Sequence, residues 1–324
     1  MQPIRLATTQ FEARDGDKEY NLARMEALAA EAAAQGAELV CFHECAIPGY
    51  TYLETLDRDA LAALAEPLDA SPSLERLRRL AARLGVGIGA GLVEIDDDRL
   101  YNTWALVDAD GVVARHRKIH AFISPHLDCG DSFTVFDWRG SRFGILICYD
   151  CNLPENVRMN ALEGVEILLA PHVTGCLPSP MPGRGVVEPA VWEAREADPV
   201  RCRQEFDGPK GRGWLMRWLP ARAFENGLYL VYANPIGVEG GTIKPGGSLI
   251  LDPYGEILAE CRRLGDEVVT ALCDPAKLES APGRSYIDAR RPELYGRMLA
   301  PNPKLRPDGK PDVWWQRQAR AKSA

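Results

Sequence analysis

The chain has 324 residues, of which 46% are hydrophobic and 26% are charged, and its formal net charge is −8. This length supports one large domain or two modest ones, and the composition is that of an ordinary globular enzyme. The negative charge argues against binding to nucleic acid or to an anionic membrane surface. The sequence begins without a signal-peptide segment, and no apolar run approaches the roughly 18 residues needed to span a bilayer. We therefore expect a cytoplasmic protein.

Strand and helix patterns alternate from the N-terminus. Predicted strands cover residues 4–10, 37–42, 86–93, 104–107, 111–115, 133–138, 143–147, 166–170, 229–234, 247–251 and 267–273. Predicted helices cover residues 20–35, 58–66, 73–84, 154–163 and 215–226. The strands 104–107 and 111–115 are expected to form a hairpin. With no internal repeat and no clean linker, this alternation predicts one mixed α/β domain.

Two segments interrupt the alternation. Residues 175–213 are rich in proline, glycine and charge, and they are long for a connection within a compact domain. We expect them to shape the mouth of a pocket, where their charges could recognise a carboxylate or an amine; a solvated loop or a subunit contact is an equal alternative. The domain is predicted to span residues 1–300, and residues 301–324 are predicted to form a tail on the surface or on a partner subunit.

Three predicted strands end in chemically capable side chains. Glu44 follows the strand at 37–42, Lys118 follows the strand at 111–115, and Cys148 follows the strand at 143–147. Such residues are more often packed thiols or solvated charges. However, ligands of α/β sheets sit beyond the carboxyl ends of strands, where these three could converge.

A thiol, a carboxylate and an ammonium are sufficient for amide cleavage. Only a thiolate attacks, and a carboxylate can take its proton and later activate water. An ammonium favours the thiolate and can donate to the oxyanion of the tetrahedral intermediate. This chemistry closes without a metal or other cofactor.

The number and spacing of the cysteines raise one alternative to a catalytic Cys148, namely a zinc site. The nine cysteines are expected to be free, mostly buried thiols in a reducing compartment. Cys148 and Cys151 form a Cys-x-x-Cys pair, which with Cys41 and Cys45 could mimic a four-thiolate zinc site. Zinc would take up the thiolate that catalysis needs, so we predict that Cys151 packs at a helix start.

The local sequences around the three strand ends are more specific. The segments HECAIPGY at 43–50, RKIH at 117–120 and LICYD at 146–150 resemble the three signature segments of the nitrilase, or carbon–nitrogen hydrolase, superfamily. The resemblance spans roughly residues 4–275, and its segments occur in the family order and at family-like spacing. Further positions that share it are residues 101–102, 130–133, 154–155, 222–226, 234, 248 and 252–253.

The resemblance implies a four-layer α-β-β-α sandwich that pairs into a homodimer or a larger homo-oligomer. It implies Glu44 as general base, Lys118 as oxyanion stabiliser and Cys148 as nucleophile. The backbone N–H of Tyr149 would complete the oxyanion hole.

The chain departs from the family pattern at one position. Many amidase members carry a second glutamate about seven residues before the glycine that corresponds to Gly130. Here that position is Ile123, and no glutamate occurs between Lys118 and Cys148. We consider His126 or Asp128 as a substitute that positions the substrate.

The substrate is expected to be a small molecule with an amide or carbamoyl group. Many nitrile-hydrolysing members have Trp-Glu after the cysteine, whereas this chain has Tyr149-Asp150, as in the amidase and carbamoylase branches. We expect an amidohydrolase of small linear amides that releases ammonia. The alternatives are an N-carbamoyl amine or amino-acid hydrolase, then a nitrilase or a non-catalytic scaffold relative. Trp192 is the first candidate to line the pocket, and His172 either lines it or is structural.

Overall fold

The structure, a computed structural model, describes residues 1–311. Its strands are β1 (Ile4–Gln10), β2 (Leu39–Cys41), β3 (Gly87–Asp96), β4 (Arg99–Asp108), β5 (Gly111–Arg117), β6 (Thr134–Trp138), β7 (Ser141–Ile145), β8 (Ile167–Pro171), β9 (Tyr229–Ala233), β10 (Ile236–Glu239), β11 (Thr242–Pro245), β12 (Leu249–Leu251), β13 (Ile257–Glu260) and β14 (Glu267–Cys273). Its α-helices are α1 (Lys18–Ala34), α2 (Arg58–Leu64), α3 (Pro72–Leu84), α4 (Tyr149–Asn152), α5 (Pro154–Leu162), α6 (Pro189–Glu193), α7 (Pro199–Asp207), α8 (Arg212–Leu215), α9 (Leu219–Phe224), α10 (Pro275–Glu279) and α11 (Pro282–Asp288).

Two six-stranded sheets form the centre of the fold. The first has the strand order β14-β1-β2-β3-β4-β5, and the second has the order β13-β12-β9-β8-β7-β6. Three adjacent strands run parallel in each sheet, namely β1, β2 and β3 in the first and β7, β8 and β9 in the second. Parallel strands end at the same edge of their sheet, so the residues that follow them are brought close together.

The two sheets pack face to face across a continuous apolar layer that includes Leu6, Trp104, Ile145 and Leu169. A second apolar cluster packs α1 and α3 on the outer face of the first sheet. A third cluster packs α5 and α9 on the outer face of the second sheet. The result is the predicted four-layer α-β-β-α sandwich, and the α/β fold class is confirmed.

Helix α3 illustrates how local sequence sets the limits of an element. The Ser71 side chain accepts a hydrogen bond from the Leu74 N–H at 3.0 Å and so caps the helix N-terminus. Pro72 occupies the first helical position, where its missing N–H is not needed. Gly85 ends the helix with a φ of 71°, which glycine adopts without a Cβ penalty.

The segment at 175–213 is structured rather than irregular. It contains α6, α7 and α8, and Trp192, Cys202 and Phe206 form a small apolar core with Ile236 and Ile243 of the β10–β11 hairpin. Sequence analysis missed both this hairpin and β13. These strands are short and pair locally or at a sheet edge, so they carry little periodic signal.

The described part of the C-terminal tail ends against the loop that follows β5. The Lys310 ammonium donates hydrogen bonds to the carbonyl oxygens of Ser124 and Pro125, at 3.2 and 2.8 Å. The rest of the predicted tail, residues 312–324, lies outside the described residues. Within residues 1–311, every helix is too short or too polar to cross a membrane.

Candidate active site

The three predicted catalytic side chains follow strands that end at one edge of the sandwich. Glu44 follows β2, and Cys148 follows β7. β5 is antiparallel to β4, and β4 is antiparallel to β3, so β5 has the direction of β3 and delivers Lys118 to the same edge. The three residues are 0%, 1% and 6% exposed for Glu44, Lys118 and Cys148.

A buried ion pair joins the carboxylate and the ammonium. Lys118 Nζ donates to Glu44 Oε1 at 2.6 Å, and Asn102 Nδ2 donates to the same oxygen at 2.6 Å. The other carboxylate oxygen, Oε2, accepts from the Val173 N–H at 3.2 Å. Both oxygens are therefore held in position, as a general base requires.

The Lys118 ammonium is enclosed by aromatic residues. Its Nζ donates to the Tyr50 hydroxyl at 3.1 Å and lies 5.0 Å from the ring centroids of both Tyr50 and Phe122. Burial opposes the charged form, but the Glu44 carboxylate outweighs it and raises the pKa of Lys118 well above its ordinary value. The lysine is therefore a permanent cation in this site.

Cys148 lies on a strained turn between β7 and α4. Its backbone has a φ of 51° and a ψ of −106°, which a residue with a Cβ adopts at a cost of about 1–3 kcal/mol. The Cys148 N–H donates to the Pro171 carbonyl at 2.8 Å, and the thiol contacts the Val173 carbonyl at 3.7 Å. The Val173 backbone thus contacts both the nucleophile candidate and Glu44.

Burial controls protonation of the thiol. Burial, reinforced by the negative charge of Glu44, raises the pKa of Cys148 to about 12, although Lys118 acts in the opposite direction. Burial also raises the pKa of Glu44, and Lys118 and Asn102 partly offset this rise. Lys118 thus acts towards the thiolate, as expected, but burial and Glu44 outweigh it, so the resting thiol is neutral and a base must take its proton during attack.

Asp150 of α4 ties the nucleophile turn to the segment after β5. Its carboxylate accepts from the backbone N–H groups of Ile119 and His120 at 3.1 and 2.9 Å, and it contacts His120 Nδ1 at 2.7 Å. Burial would raise the pKa of Asp150, but the imidazoles of His116 and His120 hold it well below its ordinary value. Asp150 is thus an ionised anchor between two catalytic segments.

A cavity of about 460 Å³ opens onto Cys148. Apolar side chains form much of its wall, including Phe122, Val173, Leu177 and Trp214. A largely apolar pocket with a few polar groups is typical of a small-molecule site. Tyr149 also lines the cavity, and its ring packs against Phe122 with a centroid distance of 5.4 Å.

The prediction that Trp192 lines the pocket is wrong. Trp192 is 3% exposed and stacks against Phe206 in the small core of the insert, with the Arg195 guanidinium 4.1 Å from its ring centroid. Among the described residues, the tryptophan that lines the cavity is Trp214. Sequence alone could not show which tryptophan lines the cavity. Trp192 lies within the segment 175–213, Trp214 directly follows it, and neither position belongs to a clear helical or strand periodicity.

The two histidine candidates also lie outside the cavity wall formed by residues 1–311. His172 is buried, its Nδ1 lies 2.8 Å from the Ala170 carbonyl, and its ring packs on Tyr232. Burial lowers the pKa of His172 to about 3, so it is a neutral structural residue. His126 lies in the loop after β5, where its N–H donates to the Ser124 hydroxyl at 3.3 Å.

The proposed substitutes for the second glutamate do not reach the site. Asp128 forms an ion pair with Arg99 at 3.3 Å, away from the cavity. Ile123, the position at which the family resemblance implies a second glutamate, lines the cavity with an apolar side chain.

The structure shows how the cysteines are packed. All nine cysteines lie within the described residues and are free thiols. Cys151 is fully buried, and its Sγ contacts the Leu146 carbonyl at 3.4 Å, as predicted for a helix-start residue that packs. In residues 1–311, no three His, Cys, Asp or Glu side chains cluster in a way that could hold a metal ion.

Sequence reasoning also missed residues that support the site. Asn102 holds Glu44, and it was noted only as part of the family resemblance. Gly91 of β3 allows the Glu44 turn to lie on the sheet, because a Cβ there would meet the Cys45 nitrogen at 2.1 Å. Lys244 of β11 lines the cavity from a hairpin that gave no sequence signal.

Comparison with known proteins identifies the family of this chain. The model of the family "Carbon-nitrogen hydrolase" matches residues 5–282. An (R)-stereoselective amidase of Pseudomonas sp. is 31% identical over 96% of this chain and 98% of its own length. A citrullinase of Francisella tularensis is 29% identical over 92% of this chain and 99% of its own length.

A solved structure shows the same fold. The amidase from Nesterenkonia sp. AN1 is 25% identical, with a TM-score of 0.66 over 91% of this chain and 96% of that chain. That structure shows covalent addition of the acetamide moiety of fluoroacetamide at its active-site cysteine. The present chain belongs to the carbon–nitrogen hydrolase family. It is an enzyme that hydrolyses non-peptide carbon–nitrogen bonds, as the sequence predicted.

Proposed function

We propose that this enzyme hydrolyses small linear amides through a thioester on Cys148, with Glu44 as base and Lys118 as oxyanion stabiliser. The observation that carries this proposal is the buried Glu44–Lys118 ion pair beside a thiol that opens onto a cavity of about 460 Å³. A neutral thiol, an ionised base and a fixed cation are the components that acyl transfer requires.

In the acylation step, the Cys148 sulfur attacks the amide carbonyl carbon while Glu44 takes the thiol proton. The negative charge that develops on the carbonyl oxygen is stabilised by the Lys118 ammonium and by the Tyr149 backbone N–H. Glu44 then gives its proton to the amide nitrogen, the carbon–nitrogen bond breaks, and ammonia leaves. A thioester remains on Cys148.

In the deacylation step, Glu44 takes a proton from water, and the resulting oxygen nucleophile attacks the thioester carbon. The carbon–sulfur bond breaks, the carboxylic acid leaves, and the proton on Glu44 returns to the sulfur. The raised pKa of the thiol suits this return, because a buried thiolate beside a carboxylate is costly.

N-carbamoyl hydrolysis is the second candidate. The same residues would form a carbamoyl thioester, whose hydrolysis gives carbon dioxide and ammonia. The similarity to a citrullinase supports this candidate, because citrulline carries a terminal carbamoyl group. Both reactions use one mechanism, so substrate turnover decides between them.

Trapping the acyl enzyme tests the proposal. The purified protein is incubated with a panel of small amides, ureido compounds and nitriles, released ammonia is assayed, and the quenched enzyme is analysed by mass spectrometry. We expect an adduct on Cys148 whose mass equals the acyl half of the best substrate. Cys148→Ala should abolish the adduct and ammonia release, whereas the neighbouring buried thiol variant Cys151→Ala should retain both. An adduct that persists in Cys148→Ala would overturn the assignment.

We also propose a homodimer or larger assembly in a reducing, cytoplasmic compartment. Large apolar side chains beyond α11 support the assembly, since Leu294, Met298 and Leu299 are 66%, 63% and 88% exposed. The nine free thiols support the compartment. Light scattering should give a mass of at least twice 35.7 kDa; a monomer at micromolar concentration would contradict the assembly.

A further inference from the structure

Lys244 places a buried ammonium in the wall of the active-site cavity. It lies on β11, is 1% exposed and lines the same cavity as Cys148. Burial lowers its pKa from the ordinary value, with partial compensation from Glu239. The catalytic mechanism does not use this cation.

The acidic neighbour of Lys244 is already occupied by other donors. Glu239 lies 3.9 Å from Lys244 Nζ, which is too far for a hydrogen bond. Its carboxylate instead accepts from the backbone N–H groups of Tyr50 and Thr51, at 2.5 and 2.9 Å, and from the Thr51 hydroxyl. Within residues 1–311, the Lys244 ammonium forms an ion pair with Glu239 at 3.9 Å and donates no hydrogen bond to a protein acceptor, so its N–H groups are available to a bound substrate.

Arg184 supplies a second cation to the same cavity. Its guanidinium stacks over the Trp214 ring at 4.0 Å from the centroid, and both residues line the cavity. The buried Arg184 Nε has no hydrogen-bond partner, and the side chain forms no ion pair with any described residue. Burial lowers the pKa of Arg184 below its ordinary value, but a guanidinium stays charged in proteins.

The remaining charge on the cavity wall is Glu54, which is exposed. The Glu44–Lys118 pair is neutral as a unit, and the buried Glu239 carboxylate near Lys244 does not line the cavity and is already bound by three donors. Among the lining side chains, two cations therefore face one solvated carboxylate, and these cations can donate hydrogen bonds to an anionic group of the substrate.

We propose that Lys244 and Arg184 bind a carboxylate at the end of the substrate remote from the scissile bond. The substrate class is then a small amide, or a ureido compound, that bears a carboxylate. This inference rests on the proposed function, because it assumes that Cys148 attacks an amide or carbamoyl carbon in this cavity. A carboxylate supplies the acceptor that the Lys244 ammonium lacks, and it can accept two hydrogen bonds from a guanidinium.

Matched substrates test the proposal. Malonamate, succinamate and glutaramate carry a carboxylate at increasing distance from the amide, and propionamide, butyramide and valeramide replace that carboxylate with a methyl group. We expect kcat/KM for the best carboxylate substrate to exceed that of its methyl counterpart. The cationic 3-aminopropanamide should be the poorest substrate of similar length.

Two variants then assign the preference to residues. Lys244→Met should lower the carboxylate-to-methyl ratio of kcat/KM by about 10- to 100-fold, the effect of one charged hydrogen bond, and should change butyramide turnover only a few-fold. Arg184→Met should lower the same ratio. Arg201→Met removes an exposed cation of the same insert and should leave the ratio unchanged.

If Lys244→Met does not fold, Arg184→Met and the wild-type ratio still decide the question. Wild-type enzyme that hydrolyses neutral amides at least as well as their carboxylate counterparts would overturn this inference while the proposed function stands. A ratio unchanged in both variants would also overturn it. An enzyme that releases ammonia from none of these compounds, nor from their N-carbamoyl analogues, would instead overturn the proposed function.

Discussion

The floor and the rim of the cavity are built in different ways. The floor is Cys148, which lines the cavity, together with the Glu44–Lys118 pair beside it; the three residues follow the strands β7, β2 and β5 and are almost completely buried. The rim includes residues 177–180 and Arg184 of the insert, which has no strand between β8 and β9. The insert is stabilised by its own small apolar core around Trp192.

In the proposed mechanism, this difference separates the residues that carry out the reaction from those that recognise the substrate. Catalytic groups must keep their geometry to a fraction of an ångström, which strand ends braced by neighbouring backbone provide. A loop on a rigid scaffold can change its sequence and still leave that geometry intact. We therefore expect substitutions in the floor to reduce kcat, and substitutions in the rim to act on KM, substrate preference or local stability.

The largest effect is expected for Glu44→Gln. The carboxamide cannot take the thiol proton, so kcat should fall by about 10²- to 10⁴-fold. Steady-state and single-turnover ammonia release measure this change, and a thermal melt checks the fold, because Lys118 loses its ion-pair partner. A variant with more than a tenth of the wild-type kcat would show that Glu44 is not the base.

The pH dependence sharpens the same prediction. Glu44 must be ionised to act as base, and burial raises its pKa, so kcat/KM should fall on acidification with an apparent pKa above the ordinary glutamate value. The thiol is neutral in the resting site, with a pKa of about 12. Alkylation of Cys148 by iodoacetamide should therefore keep rising well above pH 9. A plateau near pH 8.5, typical of a solvated thiol, would contradict this account.

An intermediate effect is expected for Asp150→Asn. The amide removes the charge that two backbone N–H groups and His120 contact, so α4 and the Lys118 segment lose a shared anchor. We expect kcat to fall by about 10- to 100-fold, because small displacements of reacting groups cost this much, and Tm to fall as well. Asp137→Asn removes an exposed partner of Arg142 and should change neither quantity.

The sign of the pH effect follows from the lowered pKa of Asp150. Its stabilising contribution is present above the unfolded-state pKa near 3.9 and is lost only as pH falls through the lower folded value. The Tm difference between wild type and Asp150→Asn should therefore still be present at pH 5 and should shrink only at more acidic pH. A difference that shrinks towards pH 5 would mean that Asp150 is not the ionised anchor.

The floor could be predicted from sequence, and physics explains why. Buried strands leave apolar runs, and such runs precede Glu44 and Cys148. β5 before Lys118 is only partly buried, and Lys118 was identified mainly from the resemblance of its local sequence to the family. Parallel pairing then fixes which ends share an edge. The supporting contact from Asn102 was not predictable, because its partner is 58 residues away in the chain and no local pattern encodes it.

The rim could not be predicted in the same way. Trp192 and Trp214 lie in or beside the same Pro- and Gly-rich segment, and composition cannot show which one faces the cavity and which one fills a core. Lys244 lies on a four-residue strand, which is too short for its alternation of polar and apolar residues to predict a strand. His126 and Asp128, which we considered in place of a second glutamate, are not part of the cavity wall, whereas Ile123 is.

The smallest catalytic effect is expected from the two tryptophans of the rim, which make a matched pair. Trp214→Ala removes part of the cavity wall and the ring under Arg184, so KM should rise a few-fold. Because this ring is only partly buried, Tm should fall less than in Trp192→Ala. Trp192→Ala removes a buried ring stacked on Phe206, a change that costs about 3–5 kcal/mol in a well-packed core. Proteolysis within 175–213 should therefore accelerate.

The temperature dependence of kcat, compared between Trp192→Ala and Trp214→Ala, tests whether the insert packs independently of the floor. If the insert packs independently of the floor, Trp192→Ala retains kcat on butyramide at low temperature and loses it as the insert opens on warming, whereas Trp214→Ala shows no such temperature dependence. If both variants lose kcat in parallel at all temperatures, the insert is coupled to the catalytic groups. Substrate recognition and catalysis would then depend on one rigid unit, and not on two parts of the molecule that pack separately.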